Sequence, residues 1–117
     1  MNPYEASKKT ESLCRLAPVI PVLVLDDTDI AQPLAEALIK GGLTVLEVTL
    51  RTPSALQVIS EMAKVKGGVV GAGTITKASD VTDAINAGAQ FGVSPGSTDD
   101  ILEACEQKKL PILPGAA

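Results

Sequence analysis

The sequence contains no histidine, and only 2% of its 117 residues are aromatic. Without an imidazole, the chain cannot build a histidine-ligated metal site, a Ser-His-Asp triad or an imidazole acid–base catalyst. Any chemistry must therefore use carboxylates, lysines, arginines, hydroxyls and backbone groups. With so few aromatic side chains, the core must consist of valine, leucine, isoleucine and alanine, which suit strands buried beneath packed helices.

Cysteine and positive charge are also scarce. Cys14 and Cys105 lie far apart and lack the spacing of a metal site, so we expect two free thiols and no bound metal. The formal net charge of −4 argues against nucleic acid and anionic membrane surfaces as partners, because both bind mainly to basic surfaces. The longest apolar runs are about strand length and no signal-like segment follows Met1, so we expect a cytoplasmic protein without a membrane span.

Apolar runs of strand length alternate with helical patterns along the chain. A polar opening segment predicts a helix at about residues 3–16, and β/α units follow from about residue 18. The apolar runs predict five strands, at residues 19–25, 44–50, 69–75, 91–94 and 112–113. Apolar residues recur at helical spacing between them, at residues 30–39, 52–63, 77–87 and 98–109. We expect Thr52 and Pro53 to be the N-cap and first residue of the second of these helices, and Pro33 to disturb the start of the first.

This alternation predicts an α/β fold with a parallel sheet, because parallel strands need crossover connections. An open doubly wound sheet and an eight-stranded β/α barrel both fit the pattern. A whole barrel takes about 250 residues and rarely fewer than about 200. In a barrel, residues 1–117 would therefore be one partial domain, the first five β/α units of a TIM-type (β/α)8 barrel that is incomplete in this chain.

The second strand carries the first candidates for chemistry. Side chains alternate along a strand, so Leu46 and Val48 share one face, while Glu47, Thr49 and Arg51 share the other. In an open sheet covered on both faces, burying the carboxylate and guanidinium would be costly. In a barrel they would point inward near the C-terminal mouth, where active sites of that fold lie. A purely structural Glu47–Arg51 pair is the alternative, and spacing alone does not separate the two.

Turn-forming residues follow the next three strands. Gly71-Ala72-Gly73 would let the backbone approach a ligand or pack closely on a helix, and close packing is the commoner use of glycine in a strand. Thr74 would offer a hydroxyl at the same edge. Ser94-Pro95-Gly96 and Pro114-Gly115 are ordinary strand-to-loop turns that would also form the rim of a pocket.

Taken together, these segments resemble the 2-keto-3-deoxy-6-phosphogluconate (KDPG) and 4-hydroxy-2-oxoglutarate (KHG) aldolase family. The run Gly-Leu-x-x-x-Glu-Val-Thr-Leu-Arg at residues 42–51 matches the active-site signature of that family. Four further segments resemble the family in the same order, at residues 18–22, 71–74, 91–96 and 111–115. The resemblance covers nearly the whole chain after about residue 17 and corresponds to the N-terminal portion of such a protein.

The resemblance implies a class I aldolase, which forms a Schiff base with a 2-keto acid and needs neither metal nor cofactor. It would release pyruvate and an aldehyde such as glyceraldehyde 3-phosphate. Glu47 would be the general acid–base, Arg51 and Thr74 would bind the carboxylate of the pyruvate half, and Pro95 would line the pocket. A guanidinium suits a carboxylate because it donates two parallel hydrogen bonds. The resemblance also implies a homotrimer.

The Schiff-base lysine of the family lies on a sixth strand, in a Lys-Phe-Phe-Pro type of segment that these 117 residues lack. Only Lys77 is expected on the catalytic side, where a solvated first-turn lysine is the simpler interpretation. We therefore expect this chain alone to be inactive, as a truncated or cleaved aldolase or one part of a split barrel. The alternative that the chain is a non-catalytic half-barrel and serves as a scaffold is not excluded by the sequence. Another phosphate-binding barrel enzyme is a further alternative, against which the absence of histidine argues.

Overall fold

The protein alternates helices and strands, as seen in a computed structural model that describes residues 1–116. The helices are α1 (Pro3–Cys14), α2 (Ala31–Lys40), α3 (Ala55–Ala63), α4 (Ala78–Ala87) and α5 (Asp99–Lys108). The strands are β1 (Val22–Leu23), β2 (Val45–Thr49), β3 (Val69–Gly73), β4 (Gly92–Ser94) and β5 (Ile112–Pro114). All five strands are parallel and pair in the order β1-β2-β3-β4-β5. The predicted α/β fold with sequential parallel strands is confirmed.

One face of the sheet packs against helices α2 to α5 and holds the main core. Leu46 and Val48 of β2 and Val70 and Ala72 of β3 are buried there, among apolar residues of these four helices. Burying a leucine or valine side chain of this kind stabilises the fold by about 1.5–3 kcal/mol. The alternation predicted for the second strand therefore places its leucine and valine on the helix side.

The inner face, which is the face of the sheet turned away from α2–α5, carries the remaining side chains. Val45, Glu47 and Thr49 of β2 lie on this face and are all buried. The same face of β1 is open, because Val22, which pairs with Glu47, is 60% exposed. The sheet thus has a packed helix side and an inner face that is uncovered near β1.

The first strand and the third helix are shorter than predicted. β1 covers only Val22–Leu23 instead of residues 19–25, and this edge strand pairs with β2 alone. The prediction that Thr52 caps α3 is wrong. Its hydroxyl donates to the carbonyl of Leu25 at 3.2 Å, and α3 begins at Ala55 after Ser54, which makes no side-chain cap.

Several other helix boundaries have ordinary explanations, although α2 and α4 begin without a side-chain cap. Pro33 falls in the first turn of α2, where no helical hydrogen bond is lost, and a 3₁₀ turn at Thr28–Ile30 supplies the irregular start. Helix α4 ends at Gly88 with φ of 109°, and α5 begins at Thr98, whose hydroxyl accepts from the amide of Ile101. Within residues 1–116, no helix is long and apolar enough to cross a membrane.

Candidate functional site at the C-terminal edge of the sheet

The four predicted site residues gather at one edge of the sheet. Thr74 follows β3 directly, and Pro95 follows β4 directly. Glu47 is the middle residue of β2, two residues before its end, and Arg51 lies two residues beyond that end. Because neighbouring parallel strands end at the same edge, the fold brings these four positions together at the C-terminal edge.

Glu47 is the chemically distinctive residue of the sheet. It is the only ionisable residue in the five strands, and it is 6% exposed. Burial raises the pKa of its carboxyl from the ordinary value of glutamate, and the nearby positive charge of Arg51 partly offsets this shift. A carboxyl whose pKa is raised toward neutrality can both accept and return a proton, which is the requirement for acid–base catalysis.

Within residues 1–116, the Glu47 carboxylate has no partner that would hold it as a structural group. It accepts no hydrogen bond from any residue in the described range 1–116. Arg51 is exposed. The ion pairs within residues 1–116 join other side chains, namely Lys8 to Glu11, Arg15 to Glu11 and Lys64 to Glu61. The alternative of a structural Glu47–Arg51 ion pair therefore lacks a direct contact.

Two glycines of β3 provide the space that the inner face needs. A Cβ atom at Gly73 would lie 2.7 Å from Oε1 of Glu47, and a Cβ at Gly71 would overlap the ring of Phe91, which is fully buried. Both glycines therefore make room for side chains of the inner face rather than for a helix. The sequence did not predict this use of the two glycines. It also did not predict that the Phe91 ring fills the space above Gly71, although an aromatic residue is unusual in a chain with 2% aromatics.

Thr74 adopts a strained backbone conformation at the edge. Its φ is 61°, in the left-handed region that β-branched residues rarely occupy, and apart from Lys109 no other non-glycine residue of the described chain has a positive φ. Such strain costs about 1–3 kcal/mol and tends to occur at functional sites. The side chain is half-buried, and its hydroxyl makes no hydrogen bond within residues 1–116.

Pro95 lines an open cavity of about 550 Å³ at the ends of β4 and β5. The two loops that form it are tied together, because the amide of Gly115 donates to the carbonyl of Ser94 at 2.8 Å. The hydroxyl of Ser97 in turn donates to the carbonyl of Gly115 at 2.7 Å. A separate cavity of about 570 Å³ lies beside α1 and contains no predicted site residue.

No cluster of three or more histidine, cysteine, aspartate or glutamate side chains is placed to hold a metal ion within the described residues. Lys77, which was the one lysine expected on the catalytic side, is exposed at the N-cap of α4.

Known proteins match most of this chain in sequence. The family model for KDPG and KHG aldolase matches residues 10–117. The chain belongs to the KDPG and KHG aldolase family. It is 53% identical over 107 residues to the 2-dehydro-3-deoxy-phosphogluconate aldolase of Zymomonas mobilis, a match that covers 92% of this chain and 51% of that protein.

Solved structures of aldolases share the fold of the chain. The KDPG aldolase of Zymomonas mobilis with 3-phosphoglycerate superposes with a TM-score of 0.90 at 52% identity, covering 94% of this chain and 53% of that one. The KDPG aldolase of Legionella pneumophila, with pyruvate captured as a covalent carbinolamine intermediate, gives 0.85 at 41% identity, with coverage of 91% and 52%. The chain thus spans about half the length of the aldolases that it matches.

Proposed function

We propose that this chain is the part of a class I aldolase that carries its acid–base and pyruvate-recognition groups. The substrate would be a 2-keto-3-deoxy-6-phosphosugar acid or 4-hydroxy-2-oxoglutarate, cleaved to pyruvate and an aldehyde such as glyceraldehyde 3-phosphate. The five β/α units would be the first five of a TIM-type barrel. The observation that carries this proposal is the single ionisable side chain of the sheet, Glu47, buried near the C-terminal edge with a raised pKa.

Glu47 would move the protons that the reaction requires. In a Schiff-base aldolase a lysine amine adds to the C2 carbonyl and water leaves, and the cationic imine then accepts the electron pair of the cleaved C3–C4 bond. The C4 hydroxyl must lose its proton as that bond breaks, and C3 must gain one before pyruvate is released. The Glu47 carboxylate, free of hydrogen bonds within residues 1–116, is available for both transfers.

Arg51 and Thr74 would hold the carboxylate of the pyruvate half. Arg51 is exposed and forms no ion pair closer than 4 Å within residues 1–116, so its guanidinium is available to a carboxylate. The Thr74 hydroxyl is likewise free of internal hydrogen bonds among these residues. Pro95 would line the pocket on the β4 side, where the cavity between the β4 and β5 loops lies.

The Schiff-base lysine would come from a sixth strand outside these residues. The covalent pyruvate adduct described for the Legionella pneumophila relative supports this chemistry for the family. By the same likeness, the enzyme would act without metal or cofactor as a cytoplasmic homotrimer. Family membership argues against the alternative of an epimerase or synthase on a phosphate-binding barrel.

Trapping with pyruvate and borohydride tests the proposal. The 117-residue chain alone should gain no adduct by mass spectrometry, whereas a protein extended through the sixth strand should carry pyruvate on the added lysine. In that extended protein, Glu47→Gln should slow turnover by about 10²–10⁴-fold, because glutamine keeps the shape and cannot transfer the proton. Glu36→Gln, an exposed change on α2, is the matched control and should leave turnover unchanged. Normal turnover in the Glu47→Gln protein would refute the assignment.

A further inference from the structure

The position of the Glu47 carboxylate depends on the strand beside it. In the register of β2 and β3, Glu47 pairs with Gly71 and Thr49 pairs with Gly73. The Glu47 side chain begins opposite Gly71 but reaches along β3 toward Gly73, which lies two residues nearer the C-terminal edge. A Cβ atom at Gly73 would meet Oε1 at 2.7 Å, Cδ at 2.8 Å and Cγ at 3.0 Å of Glu47, all closer than van der Waals contact.

The backbone itself does not require glycine at this position. Gly73 is not among the glycines with positive φ, which are Gly42, Gly67 and Gly88 in the described chain. Alanine is otherwise preferred over glycine inside a strand, because glycine loses more conformational freedom on folding. The need for glycine at 73 therefore comes from the Glu47 side chain.

The neighbouring groups determine where a displaced carboxylate would go. The corresponding space above Gly71 is filled by the Phe91 ring, so the carboxylate cannot retreat along β3. On the β1 side, Val22 is 60% exposed, so a displaced carboxylate would move toward solvent there. Strands β1, β3, β4 and β5 contain no ionisable residue, which leaves Arg51 as the charged group that acts on Glu47.

We propose that Gly73 is a positioning residue, whose missing side chain holds the Glu47 carboxylate at the C-terminal edge of the sheet and out of water. The inference deepens the proposed function, because it identifies what places and desolvates the group assigned to proton transfer. A methyl group at position 73 would meet the Glu47 carboxylate and push it toward solvent.

The test measures the pKa of the Glu47 side chain in the 117-residue chain by carboxyl-carbon NMR titration. Gly73→Ala should lower this pKa toward about 4.3, the ordinary value of glutamate. Gly92→Ala is the matched control, because its added methyl meets the Cδ1 atom of Ile75 at 2.6 Å on the helix side of the sheet. It should leave the pKa of Glu47 unchanged. A Glu47 pKa in Gly73→Ala that equals or exceeds that of the parent chain would overturn the proposal.

A second comparison covers the case in which Gly73→Ala does not fold. In the Glu47→Ala background the obstacle is gone, so adding Gly73→Ala should leave the melting temperature unchanged or raise it. If the double variant failed to fold, or melted at a lower temperature than Glu47→Ala, the Glu47 side chain would not be what requires glycine at position 73. Neither measurement depends on turnover. Normal activity of Glu47→Gln in the extended aldolase would thus reject the catalytic role and leave the positioning result standing.

Discussion

Replacing Thr74 by glycine should make the protein more stable. The φ of 61° at this β-branched residue costs about 1–3 kcal/mol, and glycine adopts the same conformation without strain. The added freedom of glycine in the unfolded chain takes back about 0.4–1 kcal/mol. The Thr74 hydroxyl makes no hydrogen bond within residues 1–116, so no internal bond is lost. The net gain is about 0.5–2 kcal/mol, or about 2–8 °C in melting temperature for a domain of this size.

Thermal unfolding followed by circular dichroism measures this gain. Lys109→Gly is the matched control, because Lys109 has the same φ of 61° at the end of α5, away from the candidate site. Both variants should melt at a higher temperature than the parent, and Thr74→Ala should gain little, since alanine retains the strain of a Cβ atom. A lower melting temperature for Thr74→Gly, with a higher one for Lys109→Gly, would show that contacts stabilise Thr74 and that the strain argument is wrong.

The same substitution should impair the proposed aldolase. A hydroxyl that donates to a substrate carboxylate contributes about 1.5–3 kcal/mol, which corresponds to about 10–150-fold in kcat/KM. In a protein extended through the sixth strand, Thr74→Gly should therefore combine higher stability with lower kcat/KM. Lys109→Gly should raise stability alone. Unchanged kcat/KM in the Thr74→Gly protein would remove Thr74 from the proposed carboxylate site.

Three further predictions follow from burial and capping. Because burial raises the pKa of Glu47 in the folded state, stability should fall as pH rises above about 4.3, the ordinary glutamate value, through the folded pKa. Glu47→Gln should remove this fall and melt higher than the parent at pH 7, and an unchanged melting profile would contradict the shift. Burial raises the pKa of the Cys105 thiol to about 11, so a thiol reagent should label exposed Cys14 alone until the protein is denatured, and native labelling of both would oppose this. Thr98→Ala should destabilise by about 0.5–1 kcal/mol in urea unfolding, whereas Ser54→Ala, which removes no side-chain cap, should not.

The alternation of side chains made much of the sheet predictable. Leu46 and Val48 were expected on the helix side, and Glu47 and Thr49 on the opposite face, and the structure has this arrangement. Period-two alternation is local and depends only on strand geometry, so a single sequence reveals it. The β/α alternation alone did not fix the order of the strands, because a doubly wound sheet, in which the order reverses, fitted it as well as a barrel.

Contacts between distant segments were not predictable in the same way. Thr52 has the ideal residue type for an N-cap, yet its hydroxyl donates to the carbonyl of Leu25 and the helix begins three residues later. The space above Gly73 is likewise visible only once β2 and β3 are paired in register. In both cases a tertiary contact decides the use of a residue whose local preference points elsewhere.

The helix side of the sheet stabilises the fold, whereas the inner face and the C-terminal edge carry the groups of the proposed reaction. The helix side is apolar throughout β2 and β3, and its burial stabilises the fold. The C-terminal edge and the inner face hold two features that cost stability, the desolvated carboxyl of Glu47 and the strained backbone of Thr74. Neither group hydrogen-bonds through its side chain within residues 1–116, so neither cost is offset by a local bond. Side chains that alternate along a strand lie on opposite faces of the sheet, so these costly groups do not disturb the packing of the helix side. This separation explains why Glu47→Gln and Thr74→Gly are both expected to stabilise the protein while they impair the proposed reaction.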